Sequence, residues 1–259
     1  MKLMLFVLMC LIPVTVPAAD WQPPQNPNPQ EILQSIRSDV QAKDYQTALA
    51  KHVWFHENAL KHNSALTGVR LSFALAYWDQ LAQIYPPALE KLKEIRDQTT
   101  KQVLDGKDVA TSFQELEALN RTLDQNNMTV DTFLLLHKEH PEKAKLAYRL
   151  AQPALLKAKE YKICGEYLEP EKSYQLLVRT REANQQLAKN PQIGPGILEF
   201  SDKHFSNQTA ILVALLVVND RREEARSIAD KARKEWDNAD FHKALDSALV
   251  GTVPPSWPY

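Results

Sequence analysis

Apolar residues recur along this chain at the three- and four-residue spacing of helix faces, and short polar or proline-bearing stretches separate the runs. The pattern predicts helices over roughly 29–42, 44–62, 65–85, 87–104, 108–124, 128–139, 141–163, 170–189, 200–218, 221–236 and 238–250. Pro86-Pro87, Asp105-Gly106, His140-Pro141, Glu169-Pro170 and Gly194-Pro195-Gly196 fall between these runs, where breakers belong. The start of the first run is well marked. Asn28 supplies a cap, Pro29 a preset first turn and Glu31 a carboxylate that can reach back. Ile211 to Val218 is rich in β-branched residues, but it sits in a segment of helical length ending at Asn219-Asp220, so it reads as a buried helix. No strand competes, and the expected fold class is all-α with about ten or eleven helices.

Paired in order, the helices form hairpins. The small or β-branched residues that open successive second helices are Ala48, Ala88, Val130, Ser173 and Ala225, separated by 40, 42, 43 and 52 positions. Two elbows are alike, Ala42-Lys43-Asp44-Tyr45-Gln46-Thr47-Ala48 and Asn219-Asp220-Arg221-Arg222-Glu223-Glu224-Ala225. In the last hairpin Ala225, Ala229 and Ala232 occupy three small positions, and Leu212, Val213 and Leu216 occupy apolar positions of the preceding helix. This hairpin resembles the tetratricopeptide repeat, in which small side chains let two helix backbones approach closely. In the first hairpin Ile32, Ile36 and Ala48 fit the same pattern, whereas His52 and Phe55 replace the expected aromatic and alanine. The repeat's first-helix tryptophan and glycine are absent from both. The resemblance covers about a quarter of the chain and implies stacked antiparallel hairpins forming an α-α superhelix that offers a binding surface. The middle 130 residues carry pairs longer than that repeat, and a related superhelix is the alternative there.

Composition narrows the function. The chain has 259 residues, 44% of them hydrophobic, enough for a sizeable core. Lys plus Arg number 31 against 32 for Asp plus Glu, so the basic excess of a nucleic-acid binder is missing, although Lys231-Ala232-Arg233-Lys234 is a local patch. Residues 1–19 have the plan of a secretory signal peptide, with an early Lys2, an apolar run from Leu3 to Ile12 and a small-residue ending at Ala18-Ala19. A membrane span needs about twenty apolar residues, and Pro13 and Pro17 interrupt this run, so retention as an anchor is the lesser alternative. Export to the periplasm or the exterior is the expectation, with no stable membrane insertion after cleavage. Residues 20–29, rich in proline, read as an exposed tether, 30–250 as the helical domain and 251–259 as a proline and aromatic tail. Outside the leader, with its Cys10, the sole thiol is Cys164, and the mature chain can form no internal disulfide.

Candidate chemistry is sparse. His52 and His56, four apart on one helix face, could share a metal ion, yet His62 is too far round to complete the site. The competing structural reading packs one histidine in the hairpin and leaves the other in solvent. His137 and His140 lie at a helix end, where capping is their simpler role. Cys164 reads as an inert thiol. The carboxylate pairs Glu115/Glu117, Glu166/Glu169/Glu171 and Glu223/Glu224 read as solvated, with Asp220 and Glu223 able to form a capping box. No phosphate-binding glycine loop, Gly-x-Ser-x-Gly elbow or Cys-x-x-Cys is present. Asn120, Asn127 and Asn207 begin Asn-x-Thr sequons, whose chance frequency is high.

The resulting expectation is a binding scaffold for a protein or peptide, with no catalytic residue, metal or cofactor of its own. The segment from Leu71 to Ile84 is apolar nearly all round, and Arg70, Tyr77 and Trp78 are the candidate contact residues on the face that such repeats turn toward partners. The tail from Val253 to Tyr259 either folds back with Trp257 as a cap or serves as a recognition segment. Two alternatives stay open: a carrier holding a small molecule or lipid between helices, and a helical metal-dependent enzyme using His52 and His56.

Overall fold

A computed structural model describes residues 21–257 other than 191, 193 and 195; the expected signal segment lies outside the described residues. Among those residues the chain forms thirteen α-helices and no strand, so the fold is all-α. It divides into two compact units, Met1–Leu89 and Glu90–Tyr259.

The first unit contains α1 (Pro29–Gln41), α2 (Tyr45–His62), a 3-10 turn at Ser64–Leu66, α3 (Thr67–Arg70) and α4 (Phe73–Ala82). Asn28 caps α1 as its sequence implies: its side-chain oxygen accepts from Gln30 N at 3.0 Å and its amide donates to Glu31 at 2.9 Å. Helix α2 lies at the middle, packed on α1, the 3-10 turn, α3 and α4. Phe55, Ala59, Leu66 and Ala74 form the apolar centre, flanked by Leu33, Trp54, Leu60 and Val69. The expected tether is not free at its start. Trp21 sets its ring against Trp54, centroids 6.3 Å apart, with Lys51 Nζ 5.9 Å from the Trp21 ring.

Helix α5 (Pro86–Leu104) holds the boundary between the units. The second unit continues with α6 (Val109–Thr122), α7 (Asn126–Glu139), α8 (Pro141–Lys157), α9 (Tyr161–Glu166), α10 (Pro170–Leu187), α11 (Gly196–Val218), α12 (Arg222–Glu235) and α13 (Ala239–Leu249). Helix α11 organises this unit. Ile211 and Leu215 point into a cluster with Phe113, Phe133, Tyr148 and Leu155, while Leu212, Val213 and Leu216 point into another with Ala225, Ile228, Phe241 and Leu245. Every residue from Thr209 to Val217 is buried, which is why the β-branched run is helical: tertiary burial outweighs a weak intrinsic preference. The alanines 225, 229 and 232 are all fully buried, and α12 packs on α11.

Two expected helices are interrupted, which raises the count from eleven to thirteen. The run 65–85 breaks at Leu71 and Ser72, the latter at φ −132°, ψ −90°. The run 141–163 stops at Lys157 because Lys159 takes φ 62° and the Glu160 N–H bonds Leu155 O at 2.9 Å. This is the left-handed closure that ends many helices. It recurs with Lys43, Gly106, Asp124, Asp220 and Gly251 at the positive-φ position and the following N–H bonded five residues back. Lysine or aspartate thus fills four of six closures where glycine is the usual choice. Asp220 is spent in this way and caps nothing. The expected capping box is replaced by Arg221 pairing Glu224 at 2.6 Å.

Candidate functional site

The three candidate contact residues separate on the structure. Arg70, at the end of α3, is buried; its Nε donates to His56 O at 2.6 Å and its Nη2 lies 3.1 Å from His56 Nε2. Because a guanidinium only donates, His56 Nε2 accepts and the imidazole proton sits on Nδ1. Trp78, on α4, is buried too: it stacks on His52 with centroids 5.4 Å apart and donates from Nε1 to Ala88 O at 3.1 Å. Tyr77 faces solvent, 49% exposed. Consecutive helical residues point about 100° apart, so Tyr77 and Trp78 cannot share a face.

Both His52 and His56 are buried, which corrects the expectation that one would face solvent. Burial against Trp78 holds the His52 imidazole neutral, its pKa pushed down to about 3. Its Nε2 has no hydrogen-bond partner. The His56 lone pair is engaged by Arg70, and among the described residues no three His, Cys, Asp or Glu side chains stand together as metal ligands. The pair is built into the floor beneath α4.

Above that floor the outer side of α4 is apolar. Phe73 is 63% exposed, Tyr77 49% and Ile84, just past the helix end, 53%. Ser72, Ala76, Gln80 and Gln83 are exposed among them, and Asp79 is the sole charged residue from Leu71 to Leu89. The α5 segment that follows is of opposite character, with Glu90, Lys91, Lys93 and Glu94 in its first turns. Phe73 and Ile84 were not singled out as contacts in the sequence; the gap in charge from 71 to 89 is the signal that finds them.

The other sequence candidates have structural roles. Cys164 is fully buried and bonded to Tyr148, and burial pushes its thiol up to about 11, away from a nucleophilic thiolate. His137 pairs its Nδ1 with the Tyr167 hydroxyl and has Glu166 at 3.8 Å, while His140 joins α7 to α8. Among the candidate carboxylates, Glu117 pairs with Arg121, Glu169 with Lys172, Glu171 with Lys231 and Glu224 with Arg221. Hydrogen bonds from these cations draw Glu169, Glu171 and Glu224 below the usual carboxylate range, the reverse of what a general acid needs.

The tail folds back on the second unit. Asn207 on α11 donates to Pro255 O at 2.8 Å and accepts from Trp257 N at 2.9 Å, and Trp257 meets the Phe200 ring at 5.0 Å. Val253 to Ser256 form one wall of a cavity of about 840 Å³ whose other walls include Leu150, Leu156 and Tyr161. Of the sequons, Asn207 is thus engaged by the tail, and Asn120 is buried and bonded to Thr129. A half-open cleft of about 450 Å³ lies between α8, α10 and α11. No described helix is long and apolar enough to cross a membrane.

Comparison with known proteins found no match: no family model, no curated protein and no solved structure is similar to this chain.

Proposed function

We propose that this chain is a non-catalytic, exported binding protein whose partner-facing surface in the first unit is the outer stripe of α4, and that the partner is another protein presenting an apolar, uncharged helix. The observation that carries this reading is the row Phe73, Tyr77 and Ile84, each about half exposed or more on a stretch with a single charge. Charge depletion around aromatic anchors is the compositional mark of the centre of an interface. Full burial of a side chain of this size is worth about 1.5–3 kcal/mol, and much of that area remains open at all three positions. Beneath the stripe, Trp78 stacked on neutral His52 and Arg70 fastened to His56 hold α4 rigid, which lowers the ordering cost of association. Arg70 and Trp78 therefore support the surface from behind, and Tyr77 meets the partner.

The test is mild purification from the native host of the wild-type chain and of a Phe73→Ser/Tyr77→Ser variant. A stoichiometric protein partner that accompanies the wild type and is lost from an equally stable variant supports the reading. Full retention of the partner by the variant, or a chain that purifies alone in both forms, rejects it.

A further inference from the structure

The cleft between α8, α10 and α11 has a chemistry unlike the α4 stripe. Its volume, about 450 Å³, is that of pockets that enclose a small organic ligand. Leu177, Ile211 and Leu212 lie along its inner side, and Leu146 and Leu176 are exposed at its edge, at 61% and 44%. Three of the polar groups that line it are engaged within the protein, and Ser173 and His204 line it beside them. The Tyr148 hydroxyl accepts from Gln152 at 3.0 Å, the Tyr167 hydroxyl meets His137, and Gln208 bonds Trp257 O at 3.4 Å. His204 is held toward its neutral form by burial and stacks on Phe200, centroids 6.0 Å apart.

Charge remains only at the mouth. Lys145 and Arg149 stand one helical turn apart on α8, both exposed; Glu169, at the same rim, pairs Lys172 at 2.7 Å and is drawn below the usual carboxylate range by that bond and by Lys145 as well. An apolar inner wall of Leu177, Ile211 and Leu212, with a rim at which Lys145, Arg149 and Lys172 outnumber the one carboxylate of Glu169, favours a ligand with an alkyl body and one anionic end.

We propose that this cleft binds a medium-chain fatty carboxylate, its chain lying against Leu176, Leu177, Ile211 and Leu212 and its carboxylate at Lys145 and Arg149. Carriage of such a ligand is a second activity of the protein, independent of the partner surface on α4.

Calorimetric titration of the full chain with octanoate, decanoate and dodecanoate, below their micelle concentrations, tests the assignment. One ligand binds per chain, and affinity rises by about fourfold for each methylene that enters the cleft. Decyltrimethylammonium, with the same chain and the opposite charge, binds about tenfold more weakly or worse. Lys145→Gln/Arg149→Gln, at exposed positions, removes that preference without changing the unfolding temperature, and Leu176→Trp blocks the chain site. No binding of dodecanoate at millimolar concentration overturns the proposal. So does equal affinity for the cationic amphiphile, or binding that neither variant alters.

Discussion

Among the described residues α4 and the second half of α11 are strongly apolar helices, and the structure treats them in opposite ways. Helix α11 is enclosed by α9, α10, α12 and α13, and its nine residues from Thr209 to Val217 are all buried. Helix α4 packs on α2 and α3, buries Ala74, Leu75, Trp78, Leu81 and Ala82, and leaves Phe73 and Tyr77 in water. In the 209–217 segment of α11 the apolar content is consumed in joining two side-chain clusters, and of the large apolar side chains of that helix only Leu198 and Phe200, in its first turns, are exposed. In α4 it exceeds what the fold requires, and the excess forms one uncharged stripe. An apolar helix therefore reports a core only when every face has a neighbour.

Substitutions at the two helices should separate these roles. The largest effect is expected at Leu215, fully buried in α11: Leu215→Ala should cost about 2–5 kcal/mol, read by denaturant unfolding. Next comes the acid response of the floor under α4. The folded His52 value is lowered, so the unfolded chain takes up the proton more readily. The stability contributed by neutral His52 is full above the ordinary value of 6.5 and is lost as pH falls from there toward about 3. His52→Phe, which keeps a ring on Trp78, should flatten that acid limb in unfolding curves measured between these values. A third test is Ala225→Leu. It should overpack the contact of α12 with α11 and destabilise by about 1–3 kcal/mol; unchanged thermal unfolding would refute close helix contact there. Smallest in stability is Phe73→Ser/Tyr77→Ser, expected within about 0.5 kcal/mol of wild type. A loss as large as that at Leu215 would show that the stripe belongs to a core.

Much of the fold was legible in the sequence because proline and capping residues mark most helix ends. Pro29, Pro141 and Pro170 each stand at a helix start, and Asn28 and Asn238 cap with their side chains. The two missed interruptions lack such marks. At Lys159 the left-handed position carries a lysine, and nothing in its side chain announces a turn. At Leu71 and Ser72 the break resets the helix phase, so Arg70 and Tyr77, seven apart in sequence, do not share the face that an unbroken helix would give them. That is why only Tyr77 of the three candidate contact residues stands exposed. The burial of Arg70 and Trp78 depends on His56 and His52, side chains on another helix whose contacts no local pattern encodes. The folding back of the tail likewise rests on residues of α11 some fifty positions away, Asn207 and Gln208 by hydrogen bonds and Phe200 by ring contact.

The central claim is that the outer stripe of α4 is a protein-binding surface, and site-specific photocrosslinking in the native host tests it most directly. A benzophenone side chain placed at Tyr77 should give one dominant adduct with another protein, and the adduct should disappear when Phe73 is changed to serine. The same probe at Lys91 on α5 should give none. Absence of an adduct at position 77, or the same set of adducts from both positions, would contradict the account.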